Sequence, residues 1–406
     1  MKKLFLLSIL ILSAGCATYQ SNVAPAKHAL KAGDATQAAN LLKPFALEES
    51  KDQLVYLLDY ATALQAAGDY QESNKYFLQA DKLMEDLDYH SVSKLTGSLL
   101  TSEEMVQYKG ESFEKVLVNA YMALNYIMLG KMEDALVETR RLNEKLSKYR
   151  REGEYHYEEN PFAHYLAGMI WEADKKYDDA YIEYKRAYEL DPTMERLPTD
   201  LLTLSKLSQR KDEYKKWKQE FPSSLENPQA YDKNMGELIV LVQQGWGPTK
   251  HPRPEAPRYP MLLPEYSVIQ DCRVQIVDGD SRRCQTAYNV QKVAIQTLND
   301  DYGSLVARRI GGVATKMVVA DQVRQKNKLA GDLLLLGMLI SDRADLRQWS
   351  FLPQSFQMVR WYLPAGTYQI QMQGLAWSGA IIEERTVLQV EILPGKKNIQ
   401  HIRFVK

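Results

Sequence analysis

Residues 161–192 read PFAHYLAGMIWEADKKYDDAYIEYKRAYELDP, and the reading of this stretch decides the fold. Its apolar residues recur three and four apart, the pattern of two amphipathic helices joined by a tight turn. Small residues at Ala167, Gly168, Ala180 and Ala187 alternate with bulky Tyr165, Trp171, Tyr177 and Tyr184. Small side chains let two helices approach closely, and large ones on the facing turn fill the gap between them. Working outward, Leu54 to Glu85 repeats the arrangement, with Leu57, Tyr60, Ala61 and Leu64 on one helix and Ser73, Phe77 and Ala80 on the next. Val116 to Leu146 repeats it more weakly, since Thr139 stands where an aromatic is expected. Ala29, Gly33, Ala38, Leu42 and Phe45 fit a degenerate unit, and Leu201 to Phe221 is predicted as one last helix, ended by Pro222.

The pattern resembles the tetratricopeptide repeat (TPR), whose small-residue positions are filled here by Gly168, Ala180 and Ala187; His164 replaces the usual Trp. Ala61, Ala123 and Gly168 are 62 and 45 residues apart. Both exceed the roughly 34-residue TPR period, so insertions interrupt the array, the longer at 86–113. The resemblance implies a groove between units, lined by Leu117, Ala120 and Leu124 of one and Phe162, Tyr165, Met169 and Glu172 of the next. Such an apolar, aromatic groove suits a helix or extended peptide. The same residues could equally be packed under neighbouring helices.

The N-terminus carries an address. Lys2 and Lys3 precede an apolar run, LFLLSILIL, and then Ser13-Ala14-Gly15-Cys16. This is a secretory signal peptide, too short to span a bilayer as a helix. Ser-Ala-Gly-Cys resembles the bacterial lipobox, which implies acylation of Cys16 after cleavage before it. Acyl chains at about 0.8 kcal/mol per buried CH₂ hold a protein on a membrane almost permanently. Ala17 in place of Asp implies the outer membrane, facing the periplasm. Hydrophobic residues at 45% and charged at 25% indicate a globular chain. Charge divides unevenly. Residues 16–236 carry 28 Lys/Arg and 37 Asp/Glu, a net of −9, and residues 237–406 carry 21 and 15, a net of +6. Opposite signs favour docking of the halves on each other over separate partners. An exported protein meets no nucleic acid, so none is expected as a partner.

After Gly236 the pattern changes from helices to strands. The chain therefore divides into a signal peptide (1–15), a tether (16–23), a TPR-like helical domain (24–222), a connector (223–264, Pro-rich from 248) and a C-terminal α+β domain (265–406), which can include a strand at 237–243. The C-terminal domain is predicted as antiparallel hairpins forming a small sandwich, with Cys284 to Val293 returning as a strand and a helix over Ile295 to Leu346, with Gly311-Gly312 and Gly331 as candidate breaks. The fold class is α+β and multidomain: an N-terminal α-solenoid, then a smaller antiparallel β-rich domain with a helical insertion.

Chemistry is sparse. The six histidines form no HExxH pair, and no GxSxG elbow or GxxxxGK[ST] loop occurs. Ser91-Val92-Ser93-Lys94 matches SxxK without its partner motifs, and Asp278-Gly279-Asp280 reads as a hairpin turn better than as a calcium loop. No catalytic residue, metal site or cofactor is assigned. Cys272 and Cys284 flank that turn evenly; buried thiols and a disulfide both fit, and the oxidising periplasm favours the bridge. Leu329 to Ile340 is the most apolar mature stretch and reads as a core helix, or else as a partner-binding one. Asp345, Arg347 and Trp349 suggest a buried ion pair beside an aromatic.

The lipobox, the interrupted repeats, YKGESFEK at 108–115, ALVETRR at 135–141, GWGPTK at 245–250 and DLRQWSFLP at 345–353 together resemble an uncharacterised family of proteobacterial TPR-containing lipoproteins. Its genes often lie near one for a lipoprotein activator of penicillin-binding proteins, which implies a cell-envelope setting. Two expectations follow. The first is a non-enzymatic scaffold whose groove holds an envelope protein or peptide. The second is a peptidoglycan- or glycan-binding C-terminal domain using Trp349, Trp361 and Trp377, with exposure of Trp361 and Trp377 as the discriminating observation. An envelope hydrolase stands third, with no candidate residues.

Overall fold

The structure is a computed structural model, and it describes residues 19–91, 107–151, 161–222, 228–300, 302–340 and 343–406. Cys16, Val92 to Lys94 of the SxxK match, and residues 92–106 of the predicted insertion lie outside the described residues. The helical half consists of α1 (Tyr19–Lys31), α2 (Ala35–Leu47), α3 (Gln53–Ala66), α4 (Tyr70–Ser91), α5 (Ser112–Met128), α6 (Met132–Arg151), α7 (Pro161–Ala173), α8 (Tyr177–Leu190), α9 (Leu197–Leu207) and α10 (Lys211–Glu220). Successive helices pack in five pairs.

One turn design recurs in all five. Each passes through a left-handed residue, respectively Gly33, Gly68, Gly130, Lys175 and Gln209. The N–H of the next residue then donates to the carbonyl five back: Asp34 to Ala29, Asp69 to Leu64, Lys131 to Tyr126, Lys176 to Trp171 and Arg210 to Ser205, at 2.8–3.0 Å. This is a Schellman ending, which satisfies helix-end carbonyls and reverses the chain. It also corrects the expectation of one last helix: Gln209 interrupts Leu201–Phe221, giving a fifth pair. Within α7–α8 the close approach is tight, since a Cβ on Gly168 would lie 2.7 Å from the Tyr184 ring.

The second half contains β1 (Met235–Gln244), β2 (Thr249–Pro252), β3 (Pro260–Leu263), β4 (Asp271–Ile276), β5 (Ser281–Arg283), β6 (Gln285–Tyr288), α11 (Val290–Asp300), α12 (Tyr302–Lys326), α13 (Lys328–Ile340), β7 (Ser355–Pro364), β8 (Gly366–Leu375), β9 (Ile381–Ile392) and β10 (Lys397–Phe404). Two four-stranded sheets, ordered β10-β1-β7-β6 and β5-β4-β8-β9, face each other as a sandwich. Leu238, Val240 and Val242 of β1 join Val359 and Trp361 of β7 and Val274, Ile370 and Met372 of the second sheet in one core. Alternation along a strand sends the intervening residues to the opposite face. Ile239 and Leu241, with Phe356 and Met358, accordingly belong to the core of the helical half. The protein is thus three layers, with the first sheet in the middle.

Some expectations are refined and others corrected. The strand allowed for at 237–243 is β1, a central strand of the first sheet, so it belongs with the C-terminal unit. The expected antiparallel pairing holds throughout the two four-stranded sheets except between β1 and β10, which pair in parallel. Cys284 to Val293 does not run back as one strand, because α11 starts at Val290. The predicted helix over Ile295–Leu346 is interrupted at Asn327, between α12 and α13, and not at its glycines, which are internal to those helices. Gly331 is internal to α13, where a Cβ would meet the Arg324 backbone nitrogen at 2.6 Å. The tether shortens, since α1 already begins at Tyr19. Cys272 and Cys284 are disulfide-bonded across the β4–β5 turn.

Candidate binding site

The first helix of each pair meets the second half of the chain, and the concave face these helices form is full. All seven groove residues (Leu117, Ala120, Leu124, Phe162, Tyr165, Met169 and Glu172) are buried. The occupant is the chain itself. Phe356 stacks on Phe162 at 4.5 Å, and Trp349 packs on Tyr121 at 5.0 Å and Phe77 at 5.7 Å. The open groove expected from the repeat resemblance is therefore corrected: the side chains line the concave face but hold β7 and residues 345–353.

Hydrogen bonds fix that segment end to end. Arg347 pairs with Asp345 at 2.7 Å and with Asp52 of the helical half at 2.9 Å. The Trp349 backbone N–H donates to Glu114 Oε1 at 2.8 Å, and its indole Nε1–H to Thr62 Oγ1 at 2.8 Å. The Phe351 N–H donates to Asp59 Oδ1 at 2.9 Å. The Tyr19 hydroxyl bridges Asp59, the Gln348 carbonyl and Ser350. Burial pushes the Asp59 carboxyl up to about 8, and burial likewise raises Glu114. Further along, Gln243 donates to Gln65 and Gln65 to Asn125, at 2.8 and 2.7 Å.

The densest contact surrounds Arg360 of β7. Its guanidinium meets Glu237 of β1 at 2.7 Å, Glu172 of α7 at 2.9 Å and Asp200 of α9 at 3.2 Å. It also donates to the Tyr165 and Tyr184 hydroxyls at 3.2 and 3.1 Å. Lys397 of β10 pairs with Glu172 at 2.9 Å and with Glu237, and Arg196 with Asp200 at 3.1 Å. Three cations thus balance three carboxylates. Burial alone would raise Glu237 and Glu172, yet Arg360 and Lys397 hold both below the usual carboxylate range. Such a paired, hydrogen-bonded set is a lock rather than a reaction centre, because every charge is already neutralised.

An open concavity lies at the sandwich edge. A cleft of about 1280 Å³ runs between the α8–α9 connection, β6, α11 and the β8–β9 turn. Its lining includes Glu195, Gln285, Asn289, Gln296, Gln357 and Trp377. Trp377 is 92% exposed at the tip of that turn, whereas Trp361 is 5% exposed and Trp349 is buried. Trp377 also lines a second, adjoining hollow with Gln291, Gln354 and Tyr266, which is itself 83% exposed. Among the described residues, the Oε1 atoms of Gln357, Gln291 and Gln354 are buried and lack hydrogen-bond partners. Acceptors left unpaired in a hollow await a donor from water or a ligand. No group of three or more potential metal ligands occurs among the described residues.

Sequence reasoning missed Arg360, Lys397, Glu237, Asp200 and Asp59. Arg360 had a signal: a lone charge between Val359 and Trp361 in an apolar strand demands buried carboxylates.

No protein-family model matches the chain, and no curated protein sequence does. Among solved structures it is similar to a tetratricopeptide repeat protein from Parabacteroides merdae, at 17% identity over 51% of this chain and 68% of that one, with a TM-score of 0.33. It is also similar to MamA from Desulfovibrio magneticus RS-1, at 20% identity over 48% and 87%, with a TM-score of 0.28. A putative kinesin light chain with TPR-like repeats from Podosopora anserina gives 12% identity over 50% and 92%, with a TM-score of 0.35. Likeness at this level carries no argument, and the solenoid rests on the five helix pairs themselves.

Proposed function

We propose that this chain is a lipid-anchored, non-enzymatic scaffold of the bacterial envelope that holds a protein or peptide partner in the Trp377 cleft. The carrying observation is the division of labour between its surfaces: the concave face is closed by residues 345–363, and the cleft stands open. Amide side chains suit the backbone N–H and C=O groups of an extended peptide, and Trp377 supplies an apolar platform. The anchor at Cys16, the periplasmic side of the outer membrane and a setting near peptidoglycan synthesis rest on the lipobox and the family resemblance. The test places a photo-crosslinking residue at position 377 in cells and reads captured partners by mass spectrometry. Recovery of one envelope protein, lost when the crosslinker moves to the buried position 361, supports the reading; no adduct at 377 removes it.

A second reading has its own observation. An exposed Trp beside unpaired amide oxygens also suits sugar rings and hydroxyls, so a peptidoglycan or other glycan strand fits the same cleft. Binding of the purified protein to isolated peptidoglycan, abolished by Trp377→Ala, would select this reading over the first.

A further inference from the structure

α13 is the region where apolar residues were expected inside and are found outside. Leu329, Leu333 and Leu336 lie three and four apart on one helix face and are 70%, 59% and 54% exposed. Met317 and Val318 of α12 are exposed as well. α13 packs mainly on α12, and α12 meets α11 only lightly, so the pair stands out as a helical hairpin. This corrects the core-helix expectation for Leu329–Ile340. Neither helix is long and apolar enough to cross a membrane.

Two observations say what covers this face. The first is charge: residues 302–340 contain six Lys/Arg against two Asp, a net of +4 in a chain of net −1. The second is position. Gln20 donates to the backbone carbonyls of Lys250 and Leu346, at 2.9 and 3.4 Å. Lys250 belongs to β2, and Arg253, the residue after that strand, lies 4.2 Å from the ring of Tyr302 at the start of α12. Leu346 follows the end of α13 by six residues. Gln20 thus contacts the chain three residues before Arg253 and six residues after α13, and Gln20 is four residues from Cys16, about 14 Å of chain at most.

We propose that the α12–α13 hairpin lies in the interface of an anionic phospholipid surface, with Leu329, Leu333 and Leu336 buried among the acyl chains and the exposed Lys326 and Lys328 at its turn among the headgroups. An amphipathic, basic helix binds in this way through buried apolar area plus attraction to anionic lipid. The inference rests on the lipid-anchored reading, since that places residue 20 against a bilayer. One acyl-bearing residue tethers the chain but leaves it free to swivel; a second contact would fix which surface faces the periplasm.

The test uses the full mature chain exported with Cys16→Ala, so that it carries no acyl group, and cosedimentation with vesicles. Vesicles containing phosphatidylglycerol should bind it about tenfold better than pure phosphatidylcholine ones, and Leu329→Ser/Leu333→Ser/Leu336→Ser should lose about tenfold. These leucines are exposed, so an unchanged melting temperature will confirm that the variant folds. No binding to phosphatidylglycerol vesicles, binding unaffected by the triple variant, or self-association through this face without vesicle binding would each overturn the proposal. Intact mass of the wild-type protein extracted from membranes reads the anchor separately. Missing acyl mass with vesicle binding retained would remove the anchor and keep the hairpin contact; acyl mass present with no vesicle binding would do the reverse.

Discussion

Trp349 and Trp377 are the same side chain in opposite circumstances. Trp349 lies between Phe77 and Tyr121, with its indole N–H on Thr62 and its backbone N–H on Glu114. Trp377 projects from a hairpin turn with 92% of its surface exposed. The difference separates surface the fold consumes from surface it leaves available. A repeat solenoid usually offers its concave face to a partner; here that face is spent on the second half of the chain.

The largest expected effect comes from breaking the closed side. Arg360→Ala leaves Glu172, Asp200 and Glu237 short of a buried counter-charge, and should lower stability by about 3–5 kcal/mol, measured by denaturant unfolding. A loss below about 1 kcal/mol would mean that the charges are solvated and the halves apart. Trp349→Ala should cost a similar or slightly smaller amount, about 3–4 kcal/mol, with loss of near-ultraviolet circular dichroism. Gly168→Ala drives a Cβ into the Tyr184 ring and should cost about 1–3 kcal/mol.

A smaller effect depends on pH. The Asp59 carboxyl is pushed up to about 8 when folded, against 3.8 for a free aspartate, chiefly by burial, with the hydrogen bonds from Tyr19 and Phe351 and the charge of Lys27 opposing. Between those values the folded state keeps a proton that the unfolded chain has lost, so raising the pH destabilises the protein. From pH 7 to 8 the loss should be about 1 kcal/mol. Glu237 and Glu172, with lowered values, are ionised in both states there and add no slope. Asp59→Asn should flatten the dependence in a thermal-melt series. On the open side, Trp377→Ala should change stability by less than about 0.5 kcal/mol while abolishing capture of the cleft's ligand.

The same contrast marks what the sequence made legible. The α7–α8 pair was readable because Gly168 and Tyr184 must be small and large for the helices to meet. The disulfide was readable because Cys272 and Cys284 flank one turn. The opposite charge of the halves correctly favoured their docking, and Arg347 and Arg360 are among the residues that accomplish it. Closure of the groove was not readable, since Tyr165 and Glu172 have the same sequence signature whether they face a ligand or Arg360. The exposure of Leu333 was hidden likewise, because a run of leucines reads as core whatever covers it. Trp361 and Trp377 looked alike until strand register put one inside the sandwich and the other at a turn.

The central claim is that residues 345–353 fill the concave face of the solenoid. Native-state hydrogen exchange at the backbone amides of Trp349 and Phe351, which donate to the buried carboxyl groups of Glu114 and Asp59, tests it most directly. The account predicts protection equal to that of the β1 amides, so that both exchange only on global unfolding. Exchange of these two amides at loop rates, with β1 still protected, would contradict it.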